Sequence, residues 1–265
     1  MIRSVVGAPL QAGRRATFWW SICLAALVAV TVAFWPVFRG SSGISEAIEQ
    51  LPGAVVQAFG LENFGTPAGF LRGNLYEFIV PLLLAIAAVA LINGQTANDE
   101  ANGRLELFLA QPVDRRLLFL GRAIAALLGL AAITVATLVA QVASSAAFDL
   151  SIDASLVVST IILCGLLAAL HGAFAYALAA ATARPGLVLG LGIGIAIVGY
   201  LLVALFPLSD ALEPWSHLSP WDWALGGDPL VEPTEPWRYL ALALPTAMLL
   251  GLGTALVRQR DVASA

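Results

Sequence analysis

Residues 186–206 read Gly-Leu-Val-Leu-Gly-Leu-Gly-Ile-Gly-Ile-Ala-Ile-Val-Gly-Tyr-Leu-Leu-Val-Ala-Leu-Phe, without a single charge. Coiled as an α-helix at ~1.5 Å per residue, this run is about 31 Å long, enough to cross a hydrocarbon core of about 30 Å. Inside it, Gly190-Leu-Gly192-Ile-Gly194 invites a dinucleotide-binding reading. That fingerprint needs a strand before it and a helix after it, and neither fits the middle of an uncharged apolar run. The glycines suit helix packing instead. Gly186, Gly190 and Gly194 recur at i+4, as do Gly121, Ala125 and Gly129, and again Ala247, Gly251 and Ala255. Small residues at that spacing let helix backbones approach closely in lipid.

Similar runs occupy 18–38, 76–92, 117–142, 156–181 and 239–257, with only a short turn at 182–185 before the fifth span. A backbone in hydrocarbon must satisfy its own hydrogen bonds, and the runs lack the period-2 alternation of a membrane barrel, so they are expected as helices. Hydrophobic residues make up 60% of the chain and charged ones 11%, against about half and a quarter in a soluble domain. The expected fold is therefore all-α, a polytopic membrane protein with six transmembrane helices in a single transmembrane domain spanning 1–265. The first run is longer than a signal-peptide core and ends in Trp35-Pro36-Val37-Phe38, so it is expected as a retained helix. The formal charge of -4 gives no basic surface for nucleic acid. Cys23 and Cys164 both lie in apolar runs, where they read as small buried hydrophobes rather than a disulfide or zinc site.

Arginines orient the bundle. With six spans, Arg3, Arg14, Arg15, Arg104, Arg115, Arg116, Arg122, Arg184, Arg258 and Arg260 share one side, against Arg39, Arg72 and Arg238 on the other. The positive-inside bias then expects both termini in the cytoplasm and the chain in the plasma membrane. Two long loops, 39–75 and 207–238, fall outside. In the first, Ile44, Ile48, Val55, Val56, Phe59 and Leu61 among Glu46, Glu49 and Glu62 suggest a short amphipathic helix on the membrane face. In the second, Trp215, Trp221, Trp223 and Trp237 suit either an aromatic belt on a solvated loop or segments that dip partway into the bilayer.

The loop between the second and third spans, 93–116, carries the functional information. Leu105, Phe108 and Leu109 fall at i, i+3 and i+4, on one helical face. Asp99 and Glu100 suit a first turn, Pro112 stops the helix near Ala110, and Asp114 can cap the third span. Such a short amphipathic cytoplasmic helix fits a lipid surface or a groove on a partner equally well.

The stretch Asp99-Glu100, Gly103, Leu105-Glu106, Leu109, Pro112-Val113 and Arg115 resembles the same loop in ABC-2 type transporter permeases, the membrane subunits of ATP-binding-cassette exporters. Residues 218–229 resemble that family's segment between spans five and six, and Val257-Arg-Gln-Arg-Asp261 its basic C-terminal cap. Phe108 departs from the family, which more often has an aliphatic residue there, but keeps the apolar face. The resemblance covers nearly the whole chain. It implies that the loop docks as a coupling helix on a separate ABC ATPase subunit, with ATP and Mg on that partner. It also implies a second permease half, identical or not, completing a dimer in the lipid bilayer.

The sequence contains no lysine. A Walker-type phosphate loop needs one, so the chain is expected to be no enzyme and to hold no ATP site or other cofactor of its own. Rhomboid-type proteases also have six spans, but here the Gly40-Ser-Ser42-Gly43 serine follows the first span while His171 lies mid-depth in the fourth. A nucleophile must meet its base within hydrogen-bond reach. His171 and Tyr176 are instead expected as inter-helix polar contacts or cavity residues, beside Thr134, Thr137, Gln141 and Thr160. Ion-coupled transporters usually place ionisable groups at the midplane, and no span carries a central Asp, Glu or Arg. The expected activity is export of an amphipathic or hydrophobic substrate, with secondary ion-coupled transport as the alternative.

Overall fold

A computed structural model describes residues 2–39, 50–58, 65–102 and 115–259. Among them every regular element is a helix. Six helices are long and apolar enough to cross a membrane: Val6–Phe38, Pro67–Ala101, Arg115–Ala147, Ala154–Thr182, Pro185–Leu208 and Pro236–Val257. They are spans one to six below. Gly13 of span one lies against the Gln95 side chain of span two, and Gly253 of span six against Ala177 of span four. The ends bearing the termini therefore gather at one end of the bundle, called inner here; the opposite end is outer.

Spans two and four form the buried centre, while one and six are the most exposed to their surroundings. Span one packs chiefly along span three, and span four against spans two and six. Close approach depends on glycines. A Cβ added at Gly192 would sit 2.8 Å from Val89 Cγ1, one at Gly165 2.9 Å from Thr134 Cγ2, and one at Gly172 3.3 Å from Ala88 Cβ. At Gly129 it would meet Thr17 of span one, and Gly121 is buried. By contrast, a Cβ at Gly186, Gly190, Gly194 or Gly251 meets nothing within 4 Å. The i+4 stripe of span five thus makes no close contact among the described residues.

Local chemistry explains the breaks. Ala183 takes the left-handed conformation at φ 49°, and Pro185 then opens span five at its first turn, where a missing N–H costs nothing. Asp153 caps span four by accepting the Ser155 N–H at 2.8 Å. Span two begins earlier than its uncharged run. Its outer part is a helix, Pro67–Leu71, followed by a π-helical turn, Arg72–Tyr76, before the main helix Ile79–Gln95. Phe70, Leu71, Leu75 and Tyr76 are all buried there, and Arg72 is neutralised by Glu77 at 2.7 Å. That pairing lets Arg72 enter a span that a hydropathy reading ends at Tyr76.

The loop joining spans five and six turns inward as a hairpin, 206–235, containing the short helices Glu213–Ser216 and Pro220–Leu225. Trp221 is fully buried with Leu163, Leu167 and Leu170 of span four and Leu242 of span six. Leu163 lies about 14 Å along span four from its outer end at ~1.5 Å per residue, so the hairpin reaches below the bundle rim. In the first outer loop the described residues form a short helix, Gly53–Ala58; most of the amphipathic helix expected there lies outside the described residues.

Candidate functional site

The inner ends of spans two and three form the root of the 93–116 loop. The helix Ile79–Gln95 stops at Thr96, whose backbone turns to φ −120°, ψ −93° and whose hydroxyl donates to the Ile92 carbonyl at 2.6 Å. A short helix, Ala97–Ala101, leaves in a new direction with Asp99 and Glu100 in its first turn. Asn102 ends it by donating its side-chain amide to the Asn98 carbonyl at 2.7 Å.

Arg122 holds these pieces together. It sits on the third turn of span three with a side chain only 3% exposed, and one guanidinium nitrogen, Nη1, makes two short contacts. It donates to the Gln95 carbonyl at 2.6 Å and pairs with Asp99 Oδ2 at 2.7 Å. The last carbonyls of a helix lack intrahelical donors and gather partial negative charge, so a cation there is favourable twice over. Asp99 supplies the formal countercharge that a buried guanidinium requires. The arrangement fixes the end of span two, the start of the loop and span three relative to one another.

Of the residues singled out by sequence, the structure brings Asp99, Glu100 and Arg115 to this root, with Arg115 opening the third helix. Gly103, Leu105, Glu106, Phe108, Leu109 and Pro112 lie outside the described residues. The two central members of the root, Arg122 and Gln95, were not among the expected site residues. A signal existed: an arginine several residues inside an apolar run is costly in lipid unless something pairs with it.

His171 and Tyr176 are both enclosed by helices. The His171 Nδ1 lies 2.8 Å from the Leu167 carbonyl of its own helix, and since a carbonyl only accepts, Nδ1 carries the proton. The Tyr176 ring packs over Gly253, where a Cβ would come within 2.6 Å, and its hydroxyl meets Thr254 Oγ1 at 3.1 Å. Tyr176 thus joins span four to span six. Elsewhere the Tyr76 hydroxyl donates to Gln141 Oε1 at 2.9 Å, and Gln141 Nε2 donates to Ser145 at 2.9 Å.

Six spanning helices are the arrangement that the sequence resemblance implies. Over residues 10–220 the chain matches the model of the family described as ABC-2 family transporter protein. It belongs to that family. No curated protein matches the chain. The matched stretch takes in spans one to five, the loop root and the start of the outer hairpin. As an ABC-2 transporter protein, the chain is a multi-pass membrane permease component of an ABC transporter, and membership implies association with an ABC ATPase.

Proposed function

We propose that this permease is the membrane half of an exporter whose 99–110 segment docks as a coupling helix on a cytoplasmic ABC ATPase. The observation that carries this reading is the Arg122–Asp99–Gln95 rivet. A loop that merely rested on lipid would need no such anchor. One that receives a push must pass it to spans two and three without slack, and a buried ion pair on a helix end does that. Closure of the ATPases on ATP and Mg would move the loop, and spans two and three would follow. ATP stays on the partner, consistent with a chain that has no lysine.

The arginine asymmetry supports an inner end that faces the cytoplasm, and the plasma membrane is the membrane in which an exporter would work. A second permease half completes the dimer; the span-five face bearing Gly186, Gly190 and Gly194, where an added Cβ meets nothing within 4 Å among the described residues, supports a helix partner. Export of an amphipathic or hydrophobic substrate fits a bundle in which buried threonine hydroxyls are satisfied on their own helices, as at Thr137 and Thr160.

The test uses the complex purified with its ATPase. Leu105→Asp or Phe108→Asp puts a carboxylate on the docking face, at a cost of several kcal/mol if it stays charged there. Expected is normal membrane insertion with loss of the ATPase from the purified complex. Ala110→Asp, on the opposite face, retains it. Undiminished ATPase recovery in both face variants, with only lower stability in detergent, would make the segment a lipid-resting helix and remove the coupling role.

A further inference from the structure

We infer that Arg72 is the positioning residue of an outer gate: its ion pair with Asp228 holds the 206–235 hairpin against span two, and parting that pair opens the outer end of the bundle. The inference rests on the coupling reading above only for what drives the movement.

Among the described residues Ser219, Arg238 and Arg72 each supply a polar tie that holds the hairpin. Ser219 Oγ donates to the Gly199 carbonyl of span five at 2.7 Å, and Arg238 Nη1 of span six donates to the Asp222 carbonyl at 2.8 Å. Both link the hairpin to the two spans it already joins covalently. The third tie is different in kind: Arg72 Nη1 to Asp228 Oδ2 at 3.2 Å crosses 156 residues to reach span two. It is the polar tie that decides whether the hairpin follows span two or stays behind.

Under the hairpin lies a plug of three aromatic rings, each from a different element. Phe78 comes from span two, Tyr200 from span five and Trp221 from the hairpin. Ring centroids are 4.3 Å apart for Phe78–Tyr200 and 5.3 Å for Tyr200–Trp221. Trp221 is 1% exposed, and Gly199 opposite it leaves no room for a side chain, since a Cβ would lie 2.9 Å from the indole Cδ1. Such a plug seals only while its three parents stay together.

Span two is built to move at this level. The π turn Arg72–Tyr76 closes with the Glu77 N–H on the Arg72 carbonyl at 2.8 Å, and Phe78 then leaves helical geometry at φ −141°, ψ −53°. Breaks of this kind interrupt the hydrogen-bond ladder and mark hinges. Below it, Ile79–Gln95 is an unbroken helix of 17 residues, about 26 Å long at ~1.5 Å per residue, whose far end is held by Arg122. One rigid segment therefore connects the loop root to the hinge just beneath the clasp.

The clasp itself can part. The Arg72 and Asp228 side chains are 27% and 35% exposed, so water can solvate both when they separate. Asp228 sits at φ 46°, a left-handed conformation that non-glycine residues adopt sparingly. Glu77 Oε2, 2.7 Å from Arg72 Nε, keeps the guanidinium paired after Asp228 leaves. A cleft of about 400 Å³, lined by Thr66, Pro67, Arg72, Asp153, Asp228 and Val231, already reaches the pair from the outer side.

The test is thiol accessibility of the complex in lipid nanodiscs, with Cys23 and Cys164 first changed to alanine. Ala224→Cys, fully buried on the hairpin helix, reports the gate through its rate of reaction with a bulky maleimide. Ala123→Cys, equally buried near the inner end of span three, reports general loosening. In the Asp228→Asn and Arg72→Gln backgrounds the first rate should rise about fivefold, the scale of a partly exposed ion pair, while the second holds. Arg72→Lys should restore slow labelling. Raising salt should speed labelling of the parent chain and leave Asp228→Asn unmoved, a response that simple structural damage does not give. Unchanged rates at Ala224→Cys, or equal rises at both reporters, overturn the gate. If ATP with vanadate leaves the parent rate unchanged while Asp228→Asn still raises it, the gate stands and the coupling reading falls.

Discussion

The two ends of span two are each held by an arginine, and the two do so differently. At the inner end Arg122 is 3% exposed and grips a helix-terminal carbonyl and one carboxylate from inside the bundle. At the outer end Arg72 is 27% exposed and shares its guanidinium between Glu77 and Asp228. Removing the partner of a buried charge is strongly destabilising, whereas a solvated pair contributes little. The same chemistry thus makes a rivet at one end and a clasp at the other, with depth as the variable.

The largest expected effect tests that contrast directly. Arg122→Gln strands Asp99 and a helix-end carbonyl, and should lower stability by about 3–5 kcal/mol in thermal unfolding of the detergent-solubilised chain. Arg72→Gln should shift it by no more than about 1 kcal/mol. Equal shifts would end the distinction between rivet and clasp.

An intermediate effect concerns the two glycine faces of span five. Gly192→Leu and Gly199→Leu force volume against Val89 and Trp221 and should cost about 1–3 kcal/mol in the same measurement. Gly190→Leu and Gly194→Leu enter a face where an added Cβ meets nothing within 4 Å among the described residues of the chain. They should leave its own unfolding unchanged and weaken only the assembled transporter, read by cross-linking between permease halves. Loss of monomer stability at all four positions would place the whole helix inside one bundle.

The smallest effect is at the outer start of span four. The Ser155 N–H holds the Asp153 carboxyl below its usual range. A depressed folded value stabilises the native state at pH above the unfolded value of about 3.9, and that contribution fades as pH falls toward the folded one. Asp153→Asn should therefore flatten a small acid-side decline in unfolding temperature between about pH 5 and 3. An identical pH profile in parent and variant would show that the cap does not outlast the fraying of that helix end.

Much of this architecture is legible in the sequence, because hydrocarbon leaves the backbone few options. Six apolar runs become six spanning helices, and i+4 glycines suggest close-packing faces. What the runs do not show is which face points where. Spacing alone makes Gly190 and Gly194 look like the packing pair, yet Gly192 and Gly199, offset on the helix, meet neighbours in the chain. Charge pairs were hidden for the same reason. Arg122 is 23 residues from Asp99, and Arg72 is 156 from Asp228, so only the folded bundle brings them together. The outer start of span two was obscured because hydropathy counts Arg72 as a bare charge, while the structure pairs it with Glu77 and Asp228.

The hydroxyls inside the bundle have a further consequence. Thr134, Thr137, Thr160, Thr246 and Thr254 each donate to a carbonyl four residues back on their own helix, and His171 is likewise turned onto Leu167. A proton crossing by relay needs consecutive groups that hand a hydrogen from one to the next, and these groups are each committed to a backbone oxygen. Those threonines and His171 are thereby withheld from such a relay while the transporter handles cargo. Vesicles carrying it should hold an imposed pH difference as long as protein-free ones do, so the cell's electrochemical reserve is not drained by an idle transporter.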